Sequence, residues 1–109
     1  MRKALEINRE YYNEHIVENK ELAIVEYWAP WCVYCRRIGP AFDKIAEQFE
    51  DSVIVGKVNI DEETKLAEQE RIEVIPTLVL YKNGEAVDSI VAPESKAKIE
   101  EFVRRHLAD

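Results

Sequence analysis

The chain has 109 residues, 47% of them apolar and 34% charged, with a formal net charge of -7. That length suits one domain, spanning 1–109, and is too short for two; the composition is that of a soluble folded chain rather than a disordered one; and the acidity argues against nucleic acid or an anionic membrane as partner. No apolar run approaches the roughly 20 residues that cross a bilayer, and Met1-Arg-Lys-Ala-Leu-Glu-Ile-Asn8 lacks the apolar stretch of a secretory signal, so a cytoplasmic location is expected.

In chain order, residues 4–7 read as a short edge strand, and Tyr12 and Ile16 mark a first helix between Arg9 and Glu18. Residues 22–28, 53–60 and 77–81 are β-branched, aromatic and largely continuous in apolar character, as strands covered on both faces are. Ile38, Phe42, Ile45, Ala46 and Phe49 recur at helical spacing on one face. Asp61 is placed to cap a helix through Leu66 and Ala67. Lys82-Asn83-Gly84 is a hairpin turn, because Asn-Gly accepts positive φ, and it leads into a strand over 86–91. Ile99, Phe102, Val103 and Leu107 line one face of a last helix with Ser95 as its N-cap. The order β-α-β-α-β-α-β-β-α predicts an α/β fold. The alternating part pairs in parallel and the final hairpin adds antiparallel strands, which makes a mixed sheet with helices on both faces.

The only two cysteines, Cys32 and Cys35, lie three apart where a buried strand gives way to a helix. Such a pair is compatible with half of a zinc site, with inert core cysteines or with redox chemistry. His15 and His106 lie outside any finger-like spacing, and the strand-then-helix setting favours the redox reading. A helix N-terminus offers unpaired N–H groups and the positive end of the helix dipole, so a thiolate at Cys32 is stabilised there. Cys35, one turn later, reaches Cys32 and suits the resolving role. Glu26 interrupts an apolar run: read from the residues alone, it is either a buried carboxyl with a raised pKa or a glutamate turned to solvent.

Val25-Glu-Tyr-Trp-Ala-Pro-Trp-Cys-Val-Tyr-Cys35, Pro40, Lys57-Val-Asn-Ile-Asp61, Ile75-Pro76-Thr77 and Tyr81-Lys-Asn-Gly-Glu85 occur in one order and spacing. Together these segments resemble the thioredoxin family over essentially the whole chain. The resemblance implies a central mixed five-stranded sheet flanked by four helices. It also implies a thiol–disulfide oxidoreductase that reduces protein disulfides by dithiol exchange. The implied partners are disulfide-containing proteins and a thioredoxin reductase or other electron donor. The implied protein is a monomer that needs no cofactor, since the cysteines carry the electrons. It assigns Cys32, Cys35, Glu26, Lys57 and cis-Pro76 to catalysis, with Lys57 as ionic partner of Glu26. Trp31, Val33, Tyr34, Ile75, Val91 and Ala92 fall in the substrate groove. Trp28 supports the active-site loop, and Pro40 kinks the second helix.

The chain departs from the family pattern at the Val33-Tyr34 spacer, which is neither Gly-Pro nor Gly-His, and at Val74 and Ala92-Pro93, which narrow the groove where the family carries glycine. A tyrosine in place of proline keeps its N–H, which is expected to donate toward Cys32 Sγ, stabilise the thiolate and raise the potential above thioredoxin's value of about -270 mV. A disulfide isomerase or oxidase, a non-catalytic binding module and a glutathione-using glutaredoxin are the alternative readings.

Overall fold

The strand Ala23–Trp28 (β2) is buried along nearly its whole length, and it lies at the centre of the sheet. The computed structural model describes residues 3–107; Met1, Arg2, Ala108 and Asp109, included in the 1–109 reading, lie outside the described residues. β2 pairs in parallel with Ile54–Asn59 (β3), which pairs in parallel with the short edge strand Leu5–Glu6 (β1). On its other side β2 pairs antiparallel with Thr77–Lys82 (β4), and β4 pairs antiparallel with Glu85–Val91 (β5). The order β1-β3-β2-β4-β5 is the expected mixed five-stranded sheet. The β4–β5 turn has φ of 56° at Asn83 and 85° at Gly84, the left-handed pair that an Asn-Gly hairpin supplies.

Side chains alternate across each strand. Ile24 in β2 and Leu78 and Leu80 in β4 face one core, against Ile38, Phe42 and Ile45 of the helix Val33–Gln48 (α2) and Ile99, Phe102 and Val103 of the helix Lys96–Leu107 (α4). Ser95 Oγ accepts from the Lys98 N–H at 3.3 Å, as a cap of α4. Ala23, Val25 and Tyr27 face a second core with Tyr12, Ile16 and Leu66. Gly56 lets β1 lie close: a Cβ there would collide with the Ile7 side chain and sit 3.2 Å from the Leu5 carbonyl.

One local expectation is refined and one is corrected. The first helix begins as Arg9–Tyr11 (α1) but continues as a π-helix over Tyr12–Glu18, where the Asn19 N–H reaches back five residues to the Glu14 carbonyl at 2.9 Å. Asp61 does not cap the next helix, Thr64–Gln69 (α3); the cap position belongs to Glu63, whose side chain makes no capping bond. The Asp61 carboxylate turns toward Trp31 instead.

The second core also holds a polar chain absent from the sequence reading. The hydroxyls of Tyr27 and Tyr81 lie 2.6 Å apart, and the Tyr81 hydroxyl donates to Glu70 Oε1 at 2.6 Å. Tyr12 packs edge-on to Tyr81, with ring centroids 5.5 Å apart. Burial, with the negative charge of Glu70 adding to it, pushes the Tyr12 phenol up to about 12.

Candidate active site

Strand β2 ends at Trp28, and α2 opens at Cys32, its N-cap residue, in an extended conformation with φ -83° and ψ 111°. Cys32 and Cys35 are joined as a disulfide, their Cα atoms 5.2 Å apart, inside the usual range for a disulfide. The Cys35 N–H donates to Cys32 Sγ at 3.2 Å. The sulfur therefore takes the place of the capping oxygen at a helix start, at the positive end of a 16-residue helix. The donor is the Cys35 amide and not, as expected, that of Tyr34. The hydrogen bond expected to raise the potential is thus not formed in this disulfide form.

Both cysteines are nearly covered, and with Ala29 they form a small cluster against Trp28, Ile60 and Ile75. Trp28 packs against this cluster, and Lys57 Nζ lies 4.5 Å from its ring centroid. Pro40 lies inside α2, where it has no backbone N–H to donate.

Behind Cys35 lies a cavity of about 280 Å³ lined by Glu26, Trp28, Cys35, Arg36, Gly39, Pro40, Phe42, Asp43 and Lys57. Glu26 shares its face of β2 with Ile24 and Trp28, by the period of two, and so points under α2 rather than to solvent. It is 2% exposed, and its Oε2 has no hydrogen-bond partner among the described residues. Burial raises its pKa to about 7; Lys57, directly opposite in the β2–β3 register, pulls it down, and Asp43 pushes it up. Asp43 was missed in the sequence. Its signal was there: Arg36, Gly39, Pro40 and Asp43 stand at helical spacing on one stripe of α2.

In front of the disulfide, the Ile75–Pro76 peptide is cis. Pro76 is buried and its carbonyl accepts from the Ala92 N–H at 2.9 Å, while Val91 pairs with Thr77 in the sheet. Thr77 Oγ1 donates to the Val74 carbonyl at 2.6 Å and holds the turn before the proline. Trp31, Val33, Val74 and Val91 are more than half exposed. The Trp31 indole is steadied by a 3.0 Å bond from Nε1 to Asp61 Oδ2. The Tyr34 ring is partly buried against the α2–α4 core, and its hydroxyl donates to the Pro93 carbonyl at 2.7 Å.

The family model for thioredoxin matches residues 3–105. The chain belongs to the thioredoxin family. It is 35% identical to thioredoxin 1 of Nostoc sp. over 98% of this chain and 100% of that one, and 38% identical to thioredoxin 1 of Synechococcus elongatus over 88% and 90%. Its structure superposes on a thioredoxin of Malassezia sympodialis with a TM-score of 0.86 at 29% identity, covering 97% of this chain and 92% of that one. Like these thioredoxins it is a thiol–disulfide oxidoreductase acting on proteins, and the family implies disulfide substrates and a reductase partner in general terms. No helix among the described residues is long and apolar enough to cross a membrane.

Proposed function

We propose that Cys32 is the attacking residue, Cys35 the resolving residue and Glu26 the group that handles the Cys35 proton. In the reduced form the Cys32 thiolate, at the start of α2, attacks one sulfur of a substrate disulfide. A bond forms from Cys32 to that sulfur, and the other substrate sulfur leaves as a thiolate. The Glu26 carboxylate takes the Cys35 proton, directly or through a water in the cavity both residues line. The Cys35 thiolate then attacks Cys32 Sγ, closes the Cys32–Cys35 disulfide and expels the second substrate thiolate. Two electrons pass from the cysteine pair to the substrate; its two thiolates are then protonated, one by the proton that Glu26 took from Cys35 and one from solvent, since Cys32 enters as a thiolate. A reductase or another dithiol donor restores the reduced pair.

The observation that carries these roles is an asymmetry. Cys35, and not Cys32, lines the Glu26 cavity, whereas Cys32 borders the exposed Trp31 and Val33. Lys57 opposite Glu26 tempers its basicity, keeping part of the carboxyl ionised near neutral pH. Pro76 closes over the disulfide, and Ile75 orients substrate. Neither the N–H nor the carbonyl of Ile75 is engaged among the described residues, which leaves both to pair with an extended substrate strand. Trp31, Val33, Val91 and Ala92 form the walls of that groove, with Trp28 and Pro40 as supports. We place this activity in a monomer of one domain in the cytoplasm, where thiols are kept reduced.

The test is trapping with insulin as substrate. Cys35→Ser should accumulate a mixed disulfide through Cys32 that dithiothreitol releases, and Cys32→Ser should accumulate none. Capture through Cys35 in the Cys32→Ser variant would reverse the assignment.

A further inference from the structure

Tyr34 lies between the two cysteines, yet its hydroxyl points away from the groove to the Pro93 carbonyl, 59 residues along the chain. Pro93 is buried. The residue before it, Ala92, donates its N–H to the Pro76 carbonyl at 2.9 Å. Ala92 has φ of 43°, a left-handed conformation that an alanine resists because its Cβ crowds the backbone. Such a residue persists only where its surroundings hold it. Two hydrogen bonds therefore run in series, from the spacer to the 92–93 turn and from that turn to the cis proline. They tie together the three segments that frame the disulfide.

We propose that Tyr34 is a positioning residue. Through its hydroxyl it fixes the 91–93 turn against the start of α2 and so sets the width of the groove for a polypeptide substrate. The inference rests on the groove reading given above. Its consequence is selective. A small disulfide needs only the Cys32 sulfur, whereas an extended chain must be held between Ile75 on one side and Val91 and Ala92 on the other. If the turn is loose, each binding event must order it again, and that ordering opposes association.

Tyr34→Phe removes the hydroxyl and keeps the ring. Two measurements are made on the variant: kcat/KM for insulin and for a small aromatic disulfide, and hydrogen exchange of the Ala92 amide. The ratio of the two kcat/KM values should fall about fivefold in favour of the small disulfide, as the loss of one net hydrogen bond implies. The loss should appear in KM for insulin and not in kcat. The Ala92 amide should exchange faster by a similar factor, while amides of the α2–α4 core, such as Phe42 and Ile99, keep their protection. An unchanged ratio, an equal loss for both substrates or an unchanged Ala92 exchange rate overturns the proposal. A wild-type protein that failed to reduce insulin would take the groove reading down with it. Normal insulin reduction with an unchanged ratio removes this inference alone.

Discussion

Glu26 makes an unusual demand on stability, and replacing it with glutamine should reveal the demand. Its carboxyl is pushed from 4.5 to about 7 in the folded protein, chiefly by burial. Between these two values the folded chain keeps a proton that the unfolded chain has released. The unfolded state binds fewer protons there, so stability falls as pH rises through this window and levels off above the folded value. Tenfold in an acid's dissociation constant is worth about 1.36 kcal/mol, so a carboxyl held that far above its ordinary value costs roughly 3 kcal/mol by pH 8.5. Glu26→Gln keeps the shape and removes the charge. At pH 4.5 it should unfold within about 1 kcal/mol of the wild type, since both side chains are then neutral and similarly under-bonded. At pH 8.5 it should be the more stable protein by roughly 3 kcal/mol relative to that baseline. Urea unfolding of the disulfide form, in which the cysteines do not titrate, gives both numbers. Taking the difference between the two pH values cancels any fixed packing cost of the substitution. A glutamine variant that gains nothing between pH 4.5 and 8.5, or loses ground, would show that the Glu26 carboxyl ionises freely in the fold and that the burial argument fails.

Asp43→Asn keeps an oxygen for the Ala4 N–H, 3.0 Å from Asp43 Oδ1, but removes a charge that raises the Glu26 pKa; the midpoint of the Glu26 titration, followed by carboxyl carbon NMR, should move to lower pH. Gly56→Ala should cost about 1–3 kcal/mol in urea unfolding, because the new Cβ meets Ile7 and the Leu5 carbonyl in a packed interface; a neutral result would mean that β1 shifts freely. Tyr81→Phe removes the hydroxyl shared by Tyr27 and Glu70 and should cost about 1–3 kcal/mol. Adding Tyr27→Phe to it should cost less than the sum of the two single losses, since the second hydroxyl has already lost its partner.

What the chain shows before folding, and what it hides, divides along physical lines. The three central strands, β2, β3 and β4, are legible because burial on both faces demands continuous β-branched and aromatic runs, and the Asn83-Gly84 turn because few other pairs hold φ above zero twice in succession. The cysteine pair is legible because a strand end followed by a helix start fixes its electrostatics. The π-helical stretch was not, since Tyr12 and Ile16, four apart, reach the same core in either helix type. Asp61 was misplaced for a related reason. A carboxylate next to a helix start reads as a cap, but the same group also lies within reach of the Trp31 indole, and that choice depends on a loop that the spacing does not encode.

Glu26 and Tyr34 mark the boundary most sharply, because for both the residue type was conspicuous and the direction of the side chain decided its role. For Glu26 the direction follows from parity: positions 24, 26 and 28 share a face, the Ile24 partner is the α2 core, and so the carboxyl must lie beneath α2. Its place opposite Lys57 needs only the β2–β3 register in addition. For Tyr34 no such periodicity applies. At the first turn of a helix its side chain could equally cover the disulfide, reach solvent or turn into the core, and the acceptor it finds is a carbonyl 59 residues away. Long-range partners of this kind are set by the close approach of the 92–93 turn, which itself depends on Ala92 accepting a left-handed φ. In the disulfide form, what the spacer contributes beyond its own turn is one hydroxyl, which reaches the Pro93 carbonyl at 2.7 Å.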